Sequence, residues 1–402
     1  MKILMVNKFL YSRGGCENYM LFLSDHLKKL GHEIEFFGMY DEKNTVGNSK
    51  GLYTQNMDFH SKGLARFLYP FKIICSAEAK RKIIQVIDDF KPDIIHMNNI
   101  NFQLTPSVIY GAKKRGIPVV QTVHDYQMVC PNHLLYNFEK NTPCEKCIGG
   151  SYIDCIKNKC IHGSRVKSII GAVEGKLYSF LETYKKVDLY ITPSYFLENK
   201  LLTARKFYKG KTKTIHNFID KNKFNSVTPK GEGYIAFAGR LSAEKGVELI
   251  AKTAKLMPEH TIFVAGEGPD KSILENIPNI RLVGFLSGEK LVEFMGNAKV
   301  LLVPSVWYEN CPLSILEAQC MGVPVIAMNS GGMAELIKDG VTGTLVNEPT
   351  AEELAKKIKE TVENEEYYRT LKENLEKEKD NIFSVETYCD ILMKEYEELL
   401  KR

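Results

Sequence analysis

The chain has 402 residues, of which 44% are hydrophobic and 26% charged, enough for two domains of ordinary size. No apolar run approaches the roughly 20 residues of a membrane-spanning helix, and the N-terminal MKILMVNKFL is too short and too interrupted for a signal-peptide core, so we expect a cytoplasmic protein. Residues 1–218 hold 32 Lys and Arg against 19 Asp and Glu, whereas residues 219–402 hold 22 against 30. The basic first part should therefore meet an acidic partner.

Short apolar runs alternate with helical patterns along the chain, which is typical of βαβ units on parallel sheets. In the first half we predict strands at residues 2–6, 33–37, 93–97, 119–123 and 189–192, with helices such as 17–30 and 106–115 between them. Because each strand is followed by a helical pattern, the first half is expected to form one open α/β domain.

A polar segment over residues 209–230, which contains Asn217, Asp220 and Pro229, separates this series from a second one. The second series has predicted strands at residues 234–238, 261–265, 280–283, 300–303, 323–328 and 343–346, followed by charged helices from residue 351 to the end. Two open parallel sheets in tandem are therefore predicted. Such sheets bind ligands beyond the carboxyl ends of their strands, so candidate functional residues are sought there.

The segment SRGGCENYM follows the first predicted strand. Gly14 and Gly15 allow a tight turn with close approach of the backbone, and Glu17 opens a helix whose N-terminus would face the crevice. A plain turn explains the same pattern equally well.

Two histidines end neighbouring predicted strands, His96 in DIIHMNN and His124 in QTVHDY. A histidine in that position is more often a hydrogen-bonded structural residue than a catalyst. Asp125 and Tyr126 follow His124 and give it a polar surrounding, which favours a functional role for His124.

Five of the ten cysteines fall within residues 130–160: Cys130, Cys144, Cys147, Cys155 and Cys160. Without an export signal, clustered thiols are more often metal ligands or core residues than disulfides. A Cys-x2-Cys pair flanked by further thiols has the spacing of a structural zinc site, which would stabilise a long loop with little apolar content. Four of the five would suffice, His162 is a further candidate, and an iron–sulfur cluster or free thiols are the alternatives.

The segment FAGRLSAEKG opens the second series with a strand and a glycine turn. After Gly239, the guanidinium of Arg240 and the mobile ammonium of Lys245 suit a diphosphate. A solvated pair between Lys245 and its neighbouring glutamate is the simpler alternative. The glycines of VAGEGPD, Gly266 and Gly268, follow the next strand and by themselves indicate only a turn.

The stretch WYENCPLSILEAQCMGVPVI places Glu309 and Glu317 on either side of Pro312. Proline suits the first turn of a helix and not its interior, so a helix should begin near Pro312. Glu309 would then lie in the loop before the helix and Glu317 about one turn inside it, with the amides of Leu313 and Ser314 at its N-terminus. Amides attract phosphate and acids accept hydrogen bonds from hydroxyls, which is the pairing that a nucleotide sugar offers.

Together these motifs resemble glycosyltransferase family 4, the retaining enzymes of GT-B architecture. The likeness covers nearly the whole chain, and its most specific parts are GRLSAEKG and the Glu309-x7-Glu317 segment with its trailing Ser-Gly-Gly. It implies two Rossmann-like domains with parallel sheets facing a central cleft, the donor bound mainly by the second and the acceptor mainly by the first. It also implies that the C-terminal helix returns to the first domain, giving domains of residues 1–218 plus about 383–402 and residues 219–382.

Carried over by position, the resemblance assigns the donor diphosphate to Arg240 and Lys245, the ribose hydroxyls to Glu317 and the sugar to Glu309. It places the Gly15 amide against the phosphate and His124 beside the transferred sugar, and residues 283–286 against the base. The residues implied in catalysis are His124, Arg240, Lys245 and Glu309. The residues implied in donor binding are Gly14, Gly15, Gly239, Arg240, Lys245, Gly266, Gly284, Phe285, Glu309, Asn310, Cys311, Pro312, Leu313, Ser314 and Glu317.

No two aspartates lie two residues apart, so the Asp-x-Asp motif that holds a metal in many sugar transferases is missing and we expect no catalytic metal. Arg240, Lys245 and helix amides would stabilise the leaving nucleoside diphosphate instead. The resemblance implies transfer of a hexose-type sugar, with retention, to a saccharide acceptor that is often lipid-linked, in cell-surface polysaccharide or glycolipid synthesis. The alternatives are a nucleotide-sugar epimerase and a non-catalytic nucleotide-sugar sensor. No nucleic-acid recognition module is evident, so nucleic acid is not expected as a partner.

Basic residues of the first half lie among apolar side chains. They are Arg66, Lys72, Lys80, Arg81, Lys82, Lys157, Lys159, Arg165 and Lys167, and the apolar residues include Phe67, Leu68, Tyr69 and Phe71. An anionic lipid surface attracts each such cation by about 1 kcal/mol. We therefore expect a peripheral enzyme on the inner face of the cytoplasmic membrane, with ordinary solvated helix faces as the alternative.

Overall fold

The computed structural model describes residues 1–56, 74–224 and 233–402. The chain divides into two compact units. The first consists of Met1–Leu134, Glu145–His216 and Val385–Arg402, and the second of Leu135–Cys144 and Asn217–Ser384. The division therefore falls two residues before the boundary expected at residue 218, and the C-terminal helix belongs to the first unit.

The described strands match most of the predicted ones to within two residues. In chain order they are β1 (Lys2–Val6), β2 (Glu33–Phe37), β3 (Ile94–Met97), β4 (Val119–Thr122), β5 (Tyr136–Asn137), β6 (Thr142–Pro143), β7 (Leu189–Thr192), β8 (Thr212–Thr214), β9 (Ile235–Ala238), β10 (Ile262–Ala265), β11 (Ile280–Gly284), β12 (Val300–Val303), β13 (Val325–Met328) and β14 (Gly343–Val346). The antiparallel hairpin β5–β6 and strand β8 were not predicted.

Each unit contains a parallel sheet, so the predicted α/β fold class is confirmed. The described strands of the first sheet follow the order β2-β1-β3-β4-β7-β8, and those of the second follow β11-β10-β9-β12-β13-β14. The second order is that of the dinucleotide-binding fold, in which the direction of winding reverses between the first and fourth strands. The ligand crevice of the second unit is thus expected beyond the carboxyl ends of β9 and β12.

Helices follow the strands and cover the sheets. The described α-helices are α1 (Gly15–Lys29), α2 (Ala77–Phe90), α3 (Ser107–Lys113), α4 (Ile153–Lys157), α5 (Arg165–Phe180), α6 (Tyr195–Ala204), α7 (Val247–Leu256), α8 (Glu289–Gly296), α9 (Leu313–Cys320), α10 (Met333–Leu336), α11 (Ala351–Glu363), α12 (Glu365–Glu378) and α13 (Val385–Leu400). No helix within the described ranges is long and apolar enough to cross a membrane.

The central strands are continuous apolar runs because helices cover both faces of a parallel sheet. All four residues of β12 and of β13 are buried, for example. Side-chain caps fix where several helices begin: Ser76 Oγ accepts the Ala79 N–H at 3.1 Å and starts α2. The sheets therefore form rigid platforms from which the loops after each strand project.

The C-terminal helix α13 is bonded into the first unit through polar contacts as well as apolar ones. The hydroxyls of Tyr388 and Tyr19 hydrogen-bond at 2.6 Å, and the Tyr396 hydroxyl hydrogen-bonds to Nδ1 of His96. The other ring nitrogen of His96 bonds to Thr122 Oγ1 at 2.7 Å. His96 is thus a buried structural residue that connects β3, β4 and α13.

Two predictions about segments need correction. Residues 135–144, placed with the first domain as part of the cysteine-rich insertion, group with the second unit; they form the β5–β6 hairpin, and Tyr136 lies within electrostatic range of Glu244 and Glu248 of that unit. The polar segment 209–230, predicted only to separate the two series of strands, also contains a strand, because its Thr212–Thr214 pairs with β7 as the edge strand β8. Several sequence predictions concern positions outside the described residues: Arg66, Phe67, Leu68, Tyr69, Phe71, Lys72 and Pro229.

Candidate functional site

The loop after β9 carries the two predicted cations of the second unit. Arg240 follows the strand and is exposed, and among the described residues its guanidinium has no ion-pair partner. Lys245 ends a single turn of 3-10 helix, Ala243–Lys245. The neighbouring Glu244 accepts a hydrogen bond from Ser242 Oγ at 2.6 Å. The alternative in which Glu244 pairs with Lys245 is therefore wrong.

Lys245 instead forms an ion pair with Glu309, 64 residues further along the chain. Its Nζ lies 2.5 Å from Glu309 Oε1, which also accepts a hydrogen bond from Ser305 Oγ at 2.8 Å. Burial alone would raise the pKa of the Glu309 carboxyl, but the Lys245 charge and these hydrogen bonds outweigh burial and hold that pKa below its usual value. Glu309 is therefore a buried, ionised carboxylate at neutral pH.

Glu317 lies in a different electrostatic setting on the same loop-and-helix segment. Helix α9 begins at Leu313 after Pro312, as predicted, which puts Glu309 in the preceding loop and Glu317 one turn inside. Burial raises the pKa of Glu317, an effect that Lys223 partly offsets. No described residue donates a hydrogen bond to its carboxylate, so Glu317 can accept hydrogen bonds from a ligand.

The N-terminus of α9 is available to an anion. No side chain caps it, since Pro312 occupies the N-cap position with an extended backbone, and the Leu313 and Ser314 amides precede the first intrahelical bond. Cys311 behaves differently: its side chain is buried in the hydrophobic core of the second unit, and its sulfur and carbonyl oxygen accept hydrogen bonds from Asn217 at 3.3 and 3.0 Å. Any contact of Cys311 with a donor would therefore have to involve its backbone.

A glycine loop after β13 holds the backbone of Glu309. The Gly332 N–H donates to the Glu309 carbonyl oxygen at 2.7 Å. Gly331 adopts a left-handed conformation, with φ of 61°, and a Cβ there would lie 2.5 Å from the same oxygen. Only glycine allows this approach, so the trailing Ser-Gly-Gly of the sequence motif acts here as a support for the carboxylate.

Further glycines bring strand ends of the second sheet close together. A Cβ on Gly266 would lie 1.8 Å from the Gly239 carbonyl oxygen, and the Gly266 N–H donates to the Gly284 carbonyl at 2.8 Å. Gly284 ends β11, and the Phe285 ring beyond it is exposed. Gly239, Gly266 and Gly284 thus lie next to one another at the carboxyl ends of their strands, beside the loop that carries Arg240. Asn310 lies between Glu309 and Cys311.

Two supporting residues were missed by the sequence analysis. Ser305 lies two residues beyond the end of β12, and the strand-end rule could have identified it. Trp307, the chain's single tryptophan, has its ring centroid 5.4 Å from Lys245 Nζ, a cation–π distance. Its contact with Lys245 carries no signal in the sequence, because the two residues meet only in the folded unit.

In the first unit, helix α1 begins at Gly15 with Gly14 at its N-cap, two residues before the predicted start at Glu17. Gly14 has an extended backbone, and no side chain caps the helix. A surface depression of about 1010 Å³ borders this end of the helix and is lined by Lys8, Arg13 and Gly14, among others. Glu17 and Asp41 line it as well, so the depression presents both basic and acidic side chains.

His124 follows β4 and is half-buried within the first unit. Its Nε2–H donates to Asn98 Oδ1 at 2.9 Å, and the Tyr19 ring packs edge-on at 4.9 Å between centroids. Burial lowers the pKa of His124 to about 4, with Asp125 opposing in part. His124 is therefore neutral at physiological pH and cannot act as a charged acid.

The five cysteines of the insertion separate into two groups. In the first unit, Cys130 and Cys147 hydrogen-bond to each other, as do Cys155 and Cys160, and Cys130 lies within electrostatic range of both members of the second pair. Cys144 belongs to the hairpin of the second unit. Over the described part of the chain, ligand atoms of three metal-binding side chains come within 4.8 Å of one another only at Glu259, His260 and Glu363, so the four thiols form two pairs and not one closed set.

A small cavity of about 30 Å³ in the first unit is lined by Gln127, His133 and Glu174, among others. Glu174 is buried, and its Oε1 has no hydrogen-bond partner among the described atoms. Burial raises the pKa of Glu174 from 4.5 to about 7, an effect that His133 only partly offsets. His133 is itself ion-paired with Asp125 at 3.5 Å.

We expect Glu174 to make the first unit less stable as pH rises from about 4.5 to about 7. The folded unit keeps this proton up to about pH 7 while the unfolded chain releases it near pH 4.5, so the contribution is complete below pH 4.5 and lost above pH 7. Its size is roughly 3 kcal/mol. Calorimetry should show Glu174→Gln gaining Tm relative to wild type between about pH 5 and pH 8. The exposed Glu182→Gln is the control, and equal pH profiles for wild type and Glu174→Gln would contradict the raised pKa.

Comparison with known proteins gives family matches over most of the chain. The model described as Glycosyltransferase Family 4 matches residues 13–223, and the model described as Glycosyl transferases group 1 matches residues 218–378. An uncharacterized 42.6 kDa protein from the cps region of Klebsiella pneumoniae is 26% identical over 353 residues, covering 84% of this chain and 87% of the relative. An uncharacterized glycosyltransferase of Methanocaldococcus jannaschii is 27% identical over 363 residues, covering 83% and 81%.

Solved structures resemble the whole chain. A glycosyltransferase from Rickettsia africae superimposes with a TM-score of 0.70 at 19% identity, covering 100% of this chain and 99% of the other. Anabaena HepE in complex with UDP and glucose superimposes with a TM-score of 0.68 at 19% identity, covering 99% and 100%. At these identities the likeness concerns the fold, and it extends over both units.

Proposed function

The chain belongs to glycosyltransferase family 4 and has the GT-B fold, and from that premise we propose that it transfers a hexose-type sugar from a nucleoside-diphosphate sugar to a hydroxyl of a saccharide acceptor. The transfer retains the anomeric configuration and needs no catalytic metal. The acceptor is lipid-linked, and the product enters cell-surface polysaccharide or glycolipid.

The observation that carries this proposal is the arrangement of charge in the second unit. Lys245 and Arg240 supply cations, and the uncapped start of α9 supplies amide donors. The carboxylates of Glu309 and Glu317 can accept hydrogen bonds, and both residues lie near the N-terminus of α9. Cations and amides suit a diphosphate, and carboxylates suit sugar and ribose hydroxyls, so a nucleotide sugar satisfies both halves of the site.

Each of these groups receives one role. Arg240, Lys245 and the α9 amides bind the diphosphate, Glu309 binds the sugar hydroxyls and Glu317 binds the ribose. Because Lys245 is already paired with Glu309 at 2.5 Å, its charge is positioned before the donor arrives, and its position costs no reorganisation during reaction. The assignments of Gly15 to the phosphate and of His124 to the sugar remain predictions from the family resemblance.

The proposed reaction is a substitution on one face of the sugar. The bond between the anomeric carbon and the diphosphate oxygen breaks, and the acceptor oxygen bonds to the same face of that carbon. The acceptor proton passes to the departing diphosphate oxygen. Negative charge grows on the diphosphate as the bond breaks, and Arg240, Lys245 and the helix amides stabilise it in the place where other transferases use a metal.

Two observations support a lipid-linked acceptor and a role at the cell surface. The Klebsiella relative is described as a protein of the cps region. Residues 1–218 carry an excess of 13 positive charges, which suits an anionic lipid surface or a phosphorylated lipid carrier. We accordingly propose a peripheral location on the inner face of the cytoplasmic membrane.

The proposal is tested by a thermal-shift screen of the full chain with UDP-, GDP- and ADP-sugars, since a ligand that binds only the folded state raises Tm. The donor that stabilises is then incubated with membrane lipid extract, and the anomeric configuration of the product is read by NMR. A product with the donor's configuration supports the proposal. Stabilisation without turnover indicates a sensor, epimerised donor without acceptor indicates an epimerase, and no stabilisation by any donor contradicts the site.

We also propose that the insertion holds a structural zinc ion. The two thiol pairs of the first unit supply Cys130, Cys147, Cys155 and Cys160, a four-sulfur ligand set, with Cys144 outside it. Zinc requires sulfurs about 2.3 Å from the ion, so binding would draw the two pairs together. An ion at this position would stabilise the loop between β4 and α5 without taking part in the reaction.

Elemental analysis of anaerobically purified protein should find about one zinc per chain. We expect Cys144→Ser to retain the metal, and Cys147→Ser or Cys155→Ser to lose it together with several degrees of Tm, because zinc-binding energy is folding energy. Stoichiometric iron with visible absorbance would indicate that these cysteines hold an iron–sulfur cluster instead of zinc. Absence of stoichiometric metal, or its loss in Cys144→Ser alone, would contradict the ligand set.

A further inference from the structure

Helix α5 presents its apolar side to solvent. Phe180 is 81% exposed, Val166 67%, Val173 49% and Ile169 45%. At about 100° per residue, these four and the half-buried Ile170 and Leu177 fall within an arc of roughly 100°. The exposed apolar residues therefore form one continuous stripe along the length of the helix, which we call the α5 stripe.

The side of α5 that packs on the protein is made of small and polar residues. The buried positions are Ser168, Gly171, Ala172, Glu174 and Tyr178. A surface helix of a soluble protein ordinarily does the opposite, with aliphatic residues inward and polar residues outward. Contiguous apolar surface of this kind marks an interaction site, because its exposure to water has no folding benefit.

Cations border the α5 stripe, and no exposed acid of this helix opposes them. Arg165, Lys167 and Lys176 are exposed, whereas the helix's single acidic residue, Glu174, is buried. The neighbouring helix α4 packs against α5 and extends the pattern with Ile153, which is exposed, and Lys157. The surface thus combines aliphatic and aromatic side chains with positive charge.

We propose that the α5 stripe inserts into the headgroup and upper acyl region of an anionic lipid bilayer, with α5 lying parallel to the membrane surface. A helix with an apolar arc and flanking Lys and Arg binds such an interface through buried apolar area plus attraction to anionic lipid. A second copy of the chain fits less well, because stripe-to-stripe pairing would bring the same cations of both copies together.

The helix is attached firmly enough to act as a fixed docking element. Ser164 Oγ accepts the Lys167 N–H at its start, and Ser168 Oγ accepts the Ile161 N–H at 3.1 Å. The Tyr178 hydroxyl donates to the Ile74 carbonyl oxygen on the buried side. Binding therefore requires no rearrangement of α5, and the contact would set the orientation of the first unit on the bilayer.

This inference rests on the proposed function in one respect: a lipid-linked acceptor, presented at a bilayer surface, is the reason for the protein to bind there. Its evidence is independent of the donor site. Donor stabilisation and membrane binding are therefore measured separately, so that failure of one can be told from failure of the other.

The test is sedimentation of the full chain with vesicles of phosphatidylcholine alone and of phosphatidylcholine mixed with phosphatidylglycerol. Wild type should pellet with the anionic vesicles and much less with the neutral ones. Ile169→Asp/Val173→Asp should lower the partition coefficient by at least about 10-fold. Replacing Arg165, Lys167 and Lys176 by alanine should lower it by about fivefold per cation, with the remaining binding less sensitive to salt.

Leu256→Asp is the matched control, since Leu256 is similarly exposed and lies at the end of α7 in the second unit. It should pellet like wild type, and all variants should keep the wild-type Tm shift with donor. Equal pelleting of wild type and Ile169→Asp/Val173→Asp would overturn the proposal, as would no pelleting of wild type with anionic vesicles. Lipid-free self-association that Ile169→Asp/Val173→Asp abolishes would overturn it in favour of a dimer surface.

Discussion

Lys245→Ala should lower kcat/KM for the donor by about 100-fold or more, the scale of losing one preorganised charge from a transition state. Lys245 is held by Glu309 at 2.5 Å and by the Trp307 ring, so its ammonium is fixed before the diphosphate begins to leave. The loss should fall mainly on kcat, because charge on the diphosphate grows as the glycosidic bond breaks. Steady-state kinetics with the donor identified by thermal shift measures it.

The matched control is Lys252→Ala in the adjoining helix α7. Lys252 also pairs with a glutamate, Glu248 at 2.8 Å, but both side chains are more than half exposed. Removing an exposed pair of this kind costs little, so kinetics should stay near wild type. Near-wild-type turnover by Lys245→Ala would remove Lys245 from the mechanism. A Tm scan of each variant separates lost chemistry from lost folding.

Because Lys245 and Glu309 are partners, their contributions should not add. Either single change leaves the other charge without its partner, and for the buried Glu309 that cost is large. We therefore expect Lys245→Ala/Glu309→Gln to lose little more activity than the worse single variant. Additive losses would indicate that the two side chains act on the donor independently.

The sequence predicted the sheets well because most strands can be recognised from their own apolar residues. Strands β1 and β12 have the predicted bounds, since their apolar runs are what a sheet covered on both faces requires. Strand β8, Thr-Lys-Thr, was missed because an edge strand needs no apolar face. The β5–β6 hairpin was missed because neither of its two-residue strands is long enough to show a period.

The candidate site was predictable where local chemistry determines position, and less so where tertiary contacts do. Pro312 alone fixes the start of α9 and hence the places of Glu309 and Glu317. The ion pair between Lys245 and Glu309 was not predicted, because it joins loops after two different strands. For the same reason, composition showed five cysteines while only the fold separates Cys144 from the other four.

The direction in which α5 faces shows the same limit. The spacing of Val166, Ile169 and Val173 is helical in the sequence, but periodicity alone predicts that such a stripe faces the core. Only the burial of Gly171, Ala172 and Tyr178 on the opposite side shows that it faces outward. The sequence analysis named Arg165 and Lys167 of this helix among the basic residues, and the structure shows the apolar side chains with which they share a surface.

Gly331→Ala should lower kcat/KM by about 100-fold although residue 331 contributes no side chain to the site. The added Cβ would lie 2.5 Å from the Glu309 carbonyl oxygen and 3.0 Å from its amide nitrogen. These are backbone atoms that cannot rotate away, so the loop must shift, the 2.7 Å bond from the Gly332 N–H must lengthen, and the Glu309 carboxylate must move with its backbone. A displacement of about 1 Å is enough to cost activity on this scale.

Gly340→Ala separates this effect from the strain of a left-handed residue. Gly340 lies in the same unit with φ of 72°, and a Cβ there meets no atom within 4 Å. The free energy of unfolding of Gly340→Ala should fall by only roughly 1–2 kcal/mol, the cost of the left-handed conformation for an L-residue. This appears as a lower Tm with kinetics close to wild type. If Gly331→Ala shows the same pattern, a Tm loss without a kinetic one, then the position of Glu309 does not depend on the glycine loop. A kinetic loss confined to Gly331→Ala, with donor stabilisation reduced in parallel, is the result expected if a displaced carboxylate is the cause.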